Sequence, residues 1–413
     1  MKALIYHGVG DIRLNDVPEP VIVAPTDAIV RLSASAICGS DLHLARGTVG
    51  GVQPGTVIGH EGVGFVEALG ADVRNLRVGD RVVIPATIAC GECAYCRVGY
   101  YAQCDEANPM GRLAGSATFG GPLQSGRFHG LQAERARIPF AHVGLVKLPE
   151  AITDDDALLL SDILPTALYA CELAEIKRGN TVAIFGCGPV GLMAICLAKH
   201  RGAGRILAVD TVDERLDLAC QYGAEIIDYE REDPVTTIRR LTGGIGVDRA
   251  IDAVGVDANR AHTGPAAVEG RALRLQHQRE LLQIAPHTKP SGDNWHPGDA
   301  PSQALSWAVR ALAKAGTLGI VGVYPREARH FPIGEAMSKG LTIKTGICHH
   351  RAYIPKLITM LQAGILDTRP LIAMQHPAHN ALESILAFDR RQTPWLRISW
   401  YPCHTETPPQ PPA

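Results

Sequence analysis

Apolar and polar residues alternate in two different rhythms along this chain, and the rhythm changes near Leu164. Upstream, short β-branched runs punctuated by glycine and proline predict strands at Ala28 to Leu32, Gly64 to Ala68 and Arg81 to Ile84, the texture of a compact, mostly β unit. Downstream, apolar runs alternate with helix-forming stretches: Thr181 to Phe185, Arg205 to Asp210, Ala224 to Asp228, Asp248 to Val254, Thr317 to Val321 and Leu341 to Gly346. Short buried strands joined by crossover helices make a parallel sheet, so the second unit is expected to be α/β. Tyr353 to Ala363 then predicts a helix, and Leu396 to Trp400 a last strand returning to the first unit. The expected division is residues 1–163 with 349–402, then 164–348, followed by a disordered proline-rich tail at 404–413.

One interval breaks the alternation. About sixty residues lie between Gly255 and Thr317, where a crossover needs about a dozen. An insertion is expected at about 257–303, helical over Ala266 to Gln283 and a loop over Pro286 to Pro301. Its histidines His262, His277, His287 and His296 lack metal-ligand spacing and read as surface residues, and His349 and His350 receive no role.

Composition narrows the partners. With 413 residues the chain exceeds what one core usually supports, in keeping with two units. Its 40 Lys and Arg against 42 Asp and Glu form no basic block, so neither nucleic acid nor an anionic membrane is favoured. Runs such as Leu192 to Ala198 fall far short of the roughly 20 residues needed to cross a bilayer. MKALIYHGVG lacks an export signal's apolar core, and 11 cysteines is an odd number, so a cytoplasmic setting and a small-molecule partner are expected.

Four of those cysteines, Cys90, Cys93, Cys96 and Cys104, form a C-x2-C-x2-C-x7-C pattern suited to one tetrahedral Zn²⁺. Four thiolates leave no position for substrate, so this zinc is expected to be structural. Paired disulfides are the alternative and require an oxidising compartment. Farther on, Gly186-Cys187-Gly188-Pro189-Val190-Gly191 follows a strand and opens a helix, the context in which G-x-G-x-x-G cradles a pyrophosphate. Asp210 ends the next strand, where a carboxylate accepts bonds from ribose hydroxyls; no arginine directly follows it, so NAD is expected over NADP. A second metal set starts from Cys38 and His60, with Glu61 and Asp162 both open as a further ligand. Asp162 also reads as a helix N-cap.

Together, Cys38 with Ser40, Gly59-His60-Glu61, the four-cysteine loop and Gly-x-Gly-Pro-Val-Gly resemble the zinc-containing medium-chain alcohol dehydrogenases, over roughly Met1 to Pro402. Ser161-Asp162-Ile163-Leu164-Pro165-Thr166 resembles the formaldehyde dehydrogenase-like branch. The resemblance implies a GroES-like β-rich catalytic domain and a Rossmann doubly wound NAD-binding domain. It implies two zinc ions per chain, with Cys38, His60 and Asp162 holding the catalytic one and Glu61 nearby as an exchangeable carboxylate. It also implies that Ser40 receives the substrate proton, His43 continues the relay, Asp41 orients His60, and backbone around Val321, Gly322 and Val323 positions the nicotinamide. The segment Asp105 to Gln132 departs from relatives and should line the substrate entrance, and the insertion covers the adenine end of the cofactor in related branches. The implied reaction is hydride transfer from an alcohol or aldehyde hydrate to NAD in a dimer or tetramer. A polyol or threonine dehydrogenase, a zinc-free reductase and a catalytically silent NAD-binding relative stand as alternatives.

Overall fold

The computed structural model describes residues 1–108, 115–371, 374–391 and 396–400, so the expected tail at 404–413 lies outside the described residues. Among the described residues, no helix is long and apolar enough to cross a membrane.

Six strands form a wholly parallel sheet in the order Glu225–Asp228, Arg205–Asp210, Thr181–Phe185, Val247–Asp252, Leu312–Ile320 and Thr342–Thr345. Val182, Ala183, Ile184 and Phe185 are buried on both faces, as a central parallel strand requires. The chain winds outward to one side of Thr181–Phe185 and then returns to the other. Such a reversal opens a crevice at the carboxyl ends of the strands.

The β-rich half is organised around Ala28–Ile37, which pairs with Gly62–Leu69, Arg135–Ile138 and the late strand Leu396–Ser399. Leu396 lies opposite Ile37, so the end of the chain braces the strand that delivers Cys38. Helix Asp154–Ser161 starts at Thr153, whose Oγ1 accepts the Asp156 N–H at 3.1 Å, and stops at Asp162, from which Ile163–Leu173 runs on beneath the parallel sheet.

The insertion differs from its expected form. Its helical stretch is two helices, Ala266–Ala272 and Arg274–Ile284, and a further helix, Gln303–Ala311, leads into a strand that begins at Leu312 rather than Thr317. His262, His287 and His296 are exposed, but His277 is buried at 2 % exposure, because the second helix turns that face inward. The loop beyond docks on the β-rich half through Trp295, which joins the core beside Ile385 and Phe388.

A buried ionic knot fastens this arrangement. Arg46 Nε donates to Asp389 Oδ1 at 2.8 Å and Nη1 to Asp257 Oδ2 at 2.9 Å. Asp389 Oδ2 also accepts the Trp295 N–H at 2.6 Å and Asn294 Nδ2 at 3.0 Å, while Asp257 Oδ1 accepts the Gly298 N–H at 3.2 Å. Helix Gly39–Arg46, the insertion and helix Ala381–Asp389 thus share one cation. His43 and Arg46 hold the Asp257 carboxyl well below the usual carboxylate range, against the opposing effect of burial.

Arg46→Leu should lower unfolding stability by about 3–5 kcal/mol, the cost of leaving buried charges uncompensated. The deficit should shrink as pH falls, because the stranded carboxylates then take up protons. Denaturant unfolding of both proteins at two pH values measures this; an equal deficit at both would mean lost packing instead.

Candidate active site

The strand Ala28–Ile37 ends at Cys38, which serves as N-cap of helix Gly39–Arg46 while Asp41 Oδ2 accepts the Cys38 N–H at 3.0 Å. That helix start sets Cys38, Ser40 and Asp41 in fixed relation. His60 and Glu61 come from the turn before Gly62–Leu69, and Asp162 from the junction of two helices. The sulfur, ring nitrogens and carboxylate oxygens of Cys38, His60, Glu61 and Asp162 include one donor each that all lie within 4.8 Å of one another.

Donor spacing tests whether a metal fits. A tetrahedral zinc at about 2.0–2.3 Å from each ligand separates its ligand atoms by about 3.3–3.8 Å. His60 Nε2 lies 3.4 Å from Asp162 Oδ2, and Cys38 Sγ lies 3.7 Å from the same oxygen. His60 Nδ1 faces Asp41 Oδ1 at 3.4 Å, which leaves Nε2 for the metal side. Both oxygens of Glu61 are buried and lack hydrogen-bond partners among the described residues. Burial, and then the Asp162 charge, push the Glu61 carboxyl up to about 8. Burial, and then Glu61, push the Cys38 thiol up to about 12. A divalent cation among these groups would reverse both tendencies, so the set fits zinc. The Asp162 side chain makes no capping bond to the helix it precedes; its Oδ1 accepts from Thr166 Oγ1 at 2.8 Å and from His350 Nε2 at 2.6 Å.

The second cluster is uniformly sulfur. Cys90 and Cys96 sulfurs lie 4.0 Å apart, as do those of Cys93 and Cys104, which fits a tetrahedral cage far better than the roughly 2.05 Å of a disulfide. Backbone N–H groups of Glu92 and Cys93 donate to Cys90 Sγ, and those of Cys90 and Ala107 to Cys104 Sγ. Such donors stabilise thiolates.

Between the two halves runs a cleft of ≈ 620 Å³ that Cys38, Ser40, His60, Glu61 and Asp162 share with Gly186, Gly188, Pro189, Val190 and Asp210. The three glycines of the turn differ in what surrounds them. Added Cβ atoms at Gly186 and Gly191 would meet Val254 Cγ2 and the Gly186 carbonyl, whereas nothing lies within 4 Å of one at Gly188. Gly186 also sits at φ +91°, and Gly188 is the N-cap of helix Pro189–His200. Asp210 Oδ2 accepts the Cys187 N–H at 2.7 Å, and Oδ1 accepts those of Thr211 and Val212 at 2.7 and 3.1 Å. Val321, Gly322 and Val323 line the same cleft, the first two donating backbone N–H bonds to the Asp252 carbonyl.

Several contributors escaped the reading of the sequence. His349 and His350 are buried rather than solvated, since the helix beginning at His350 is tucked behind Asp162. Asp257 lies 3.0 Å from His43 Nδ1, which Thr48 Oγ1 also meets at 2.8 Å; His43 is therefore enclosed rather than open to solvent. Arg215 and Arg391 line the cleft with Asp210, one from the following helix and one from the distant end of the chain. The segment after Asp105 does reach the cleft, through Ser116, Thr118 and Phe119.

Gly191→Ala should cost about 1–3 kcal/mol by forcing helix and strand apart, as overpacking does, while Gly188→Ala should leave unfolding unchanged. Thermal or denaturant unfolding decides; equal effects would refute the distinct surroundings of the two glycines.

Comparison with known proteins agrees with this geometry. Family models described as "Alcohol dehydrogenase GroES-like domain" and "Zinc-binding dehydrogenase" match residues 24–150 and 189–267. An uncharacterised zinc-type alcohol dehydrogenase-like protein, AdhB of Bacillus subtilis, is 35 % identical over 402 residues, covering 96 % of this chain and 99 % of that protein. A glutathione-independent formaldehyde dehydrogenase of Pseudomonas aeruginosa is 32 % identical over 357 residues, covering 84 % and 81 %. Among solved structures, the alcohol dehydrogenase TADH from Thermus sp. ATN1 superposes with a TM-score of 0.79 at 32 % identity, covering 97 % of this chain and 99 % of that one. A GroES-like β-rich half, a Rossmann-type parallel sheet and identity sustained over nearly the whole chain make this protein an oxidoreductase of the zinc-type alcohol dehydrogenase family.

Proposed function

We propose that the enzyme transfers hydride from a small primary alcohol or aldehyde hydrate to NAD, with Cys38, His60 and Asp162 holding a catalytic zinc. The observation that carries this reading is the mixed donor set, with Glu61 as a fourth donor unpartnered among the described residues, opening on the same cleft as the glycine turn. Zinc held there would supply the positive charge that acidifies an alcohol hydroxyl, and NAD the carbon that accepts hydride. Formaldehyde in water is chiefly a gem-diol, so it enters such a site as an alcohol does. The likeness to a formaldehyde dehydrogenase supports including it among the substrates.

The chain's own groups handle the proton. Ser40 Oγ lies 3.7 Å from Cys38 Sγ and faces the cleft, placing a hydroxyl beside the metal position. His43 follows three residues later on the same helix; Asp257 and Thr48 engage its Nδ1, leaving Nε2 to take the proton onward. Asp41 orients His60. Gly188 and the helix start at Pro189 receive the pyrophosphate, with Asp210 on the adenosine ribose. The four-cysteine loop holds a second, structural zinc.

Metal analysis should find two zinc ions per chain. Asp162→Ala should retain one and lose turnover, whereas Cys96→Ser should lose stability first; one zinc in fully loaded wild type would defeat the two-site reading.

NAD should bind more tightly than NADP. Asp210→Gly should narrow that preference tenfold or more, because Arg215 and Arg391 then meet a 2′-phosphate without an opposing carboxylate. Titration of each cofactor measures it, and an unchanged ratio would remove Asp210 from cofactor choice. A screen of NAD reduction across formaldehyde, primary and secondary alcohols, polyols and threonine tests the reaction itself: turnover confined to polyols or threonine would overturn the proposed substrate class.

A further inference from the structure

The buried pair His349 and His350 joins the four-cysteine loop to the mixed cluster, through Ala102 and Asp162. His350 is 3 % exposed, and its Nε2 meets Asp162 Oδ1 at 2.6 Å and Thr166 Oγ1 at 3.3 Å. Its Nδ1 meets Thr87 Oγ1 at 3.0 Å. A carboxylate only accepts, so Nε2 carries the hydrogen and Nδ1 accepts from the Thr87 hydroxyl; a neutral imidazole satisfies every contact. The consequence falls on Asp162. Its Oδ1 is occupied by His350 and Thr166, and Oδ2 alone is turned toward His60 and Cys38. Without that bond the carboxylate could rotate about its last torsion or present both oxygens to the cluster.

His350 is itself held from the other side. His349 Nδ1 accepts the Ala102 N–H at 3.2 Å, two residues before Cys104. Its ring meets Tyr100 edge-on at 5.2 Å between centroids and Tyr169 at 5.5 Å. Adjacent residues at a helix start thus grip the four-cysteine loop with one ring and the mixed cluster with the other.

We propose that His350 is the positioning residue that fixes the Asp162 carboxylate for metal binding, and that His349 anchors it to the four-cysteine loop, so that the two metal sites are mechanically linked. This rests on the reading of Cys38, His60 and Asp162 as zinc ligands. Groups that orient a metal ligand typically contribute about 10–100-fold in affinity.

The test is zinc retention by the full-length, zinc-loaded protein against a graded chelator, with the four-cysteine zinc as internal control and Asp162→Ala marking which zinc belongs to the mixed cluster. His350→Ala should release the mixed-cluster zinc at chelator concentrations about 10–100-fold lower than wild type, while the four-cysteine zinc stays. His350→Gln, whose Nε2 can still donate to Asp162, should recover most of that loss. His349→Phe keeps the ring contacts but cannot accept from Ala102, and should weaken the same zinc a few-fold. Cobalt substituted at the mixed cluster should show an altered visible spectrum in His350→Ala and a near-native one in His350→Gln. Wild-type retention in His350→Ala, or parallel loss of both zincs, would overturn the positioning role, and an unaffected His349→Phe would overturn the link. Wild type that never binds a second zinc would instead overturn the ligand reading beneath it.

Discussion

Four groups that repel one another or resist ionisation share one buried corner. Cys38, Glu61 and Asp162 crowd around His60, and burial, together with one another's charge, drives the thiol and the Glu61 carboxyl toward their neutral forms. Imidazoles relieve only part of this: against burial, His350 and His60 hold the Asp162 carboxyl well below the usual carboxylate range, but Glu61 has no partner for either oxygen among the described residues. A divalent cation resolves the conflict in one step, because each group is then drawn toward the form in which it binds metal. Much of the surrounding structure serves that corner. The late strand Leu396–Ser399 braces the strand leading to Cys38, Asp41 accepts the Cys38 N–H and faces His60 at 3.4 Å, and the broken helix places Asp162 across from them.

The cleft has a second dependence, on the Arg46 knot. Asp257 belongs to the insertion and Asp389 to a late helix, yet both meet one guanidinium on the helix that carries Ser40 and His43. The insertion therefore does more than extend a crossover. Through Asp257 it touches His43, and through Trp295 it enters the core of the opposite half. Its outer faces at Val268, Leu275 and Leu282 remain exposed.

What was legible in the sequence follows from locality. The glycine turn, the four-cysteine loop and the Cys38–Ser40–His43 run each depend on residues near one another in the chain, so spacing carries their chemistry. The parallel strands were legible because uninterrupted apolar runs have few other uses. Asp162 was ambiguous because an aspartate before a helix is ordinarily a cap; its lack of a capping bond, and the His350 and Thr166 contacts to its Oδ1, depend on tertiary neighbours that the local sequence does not show. His350, Asp257, Arg215 and Arg391 were invisible for the opposite reason. Each reaches the cleft through tertiary contacts that no local spacing encodes, and a histidine pair after a strand looks the same in sequence whether it faces water or a carboxylate. His277 was misread likewise, since polar composition around it concealed an inward helix face.

Zinc K-edge X-ray absorption of the loaded wild-type protein tests the central claim most directly, because it reads the donor atoms themselves. A closed sulfur cage and an open mixed site, averaged over two ions, should give a first shell of both sulfur near 2.3 Å and nitrogen or oxygen near about 2.0–2.1 Å. A shell of sulfur alone at full metal loading would contradict the mixed site, and with it the account of how this cleft activates an alcohol.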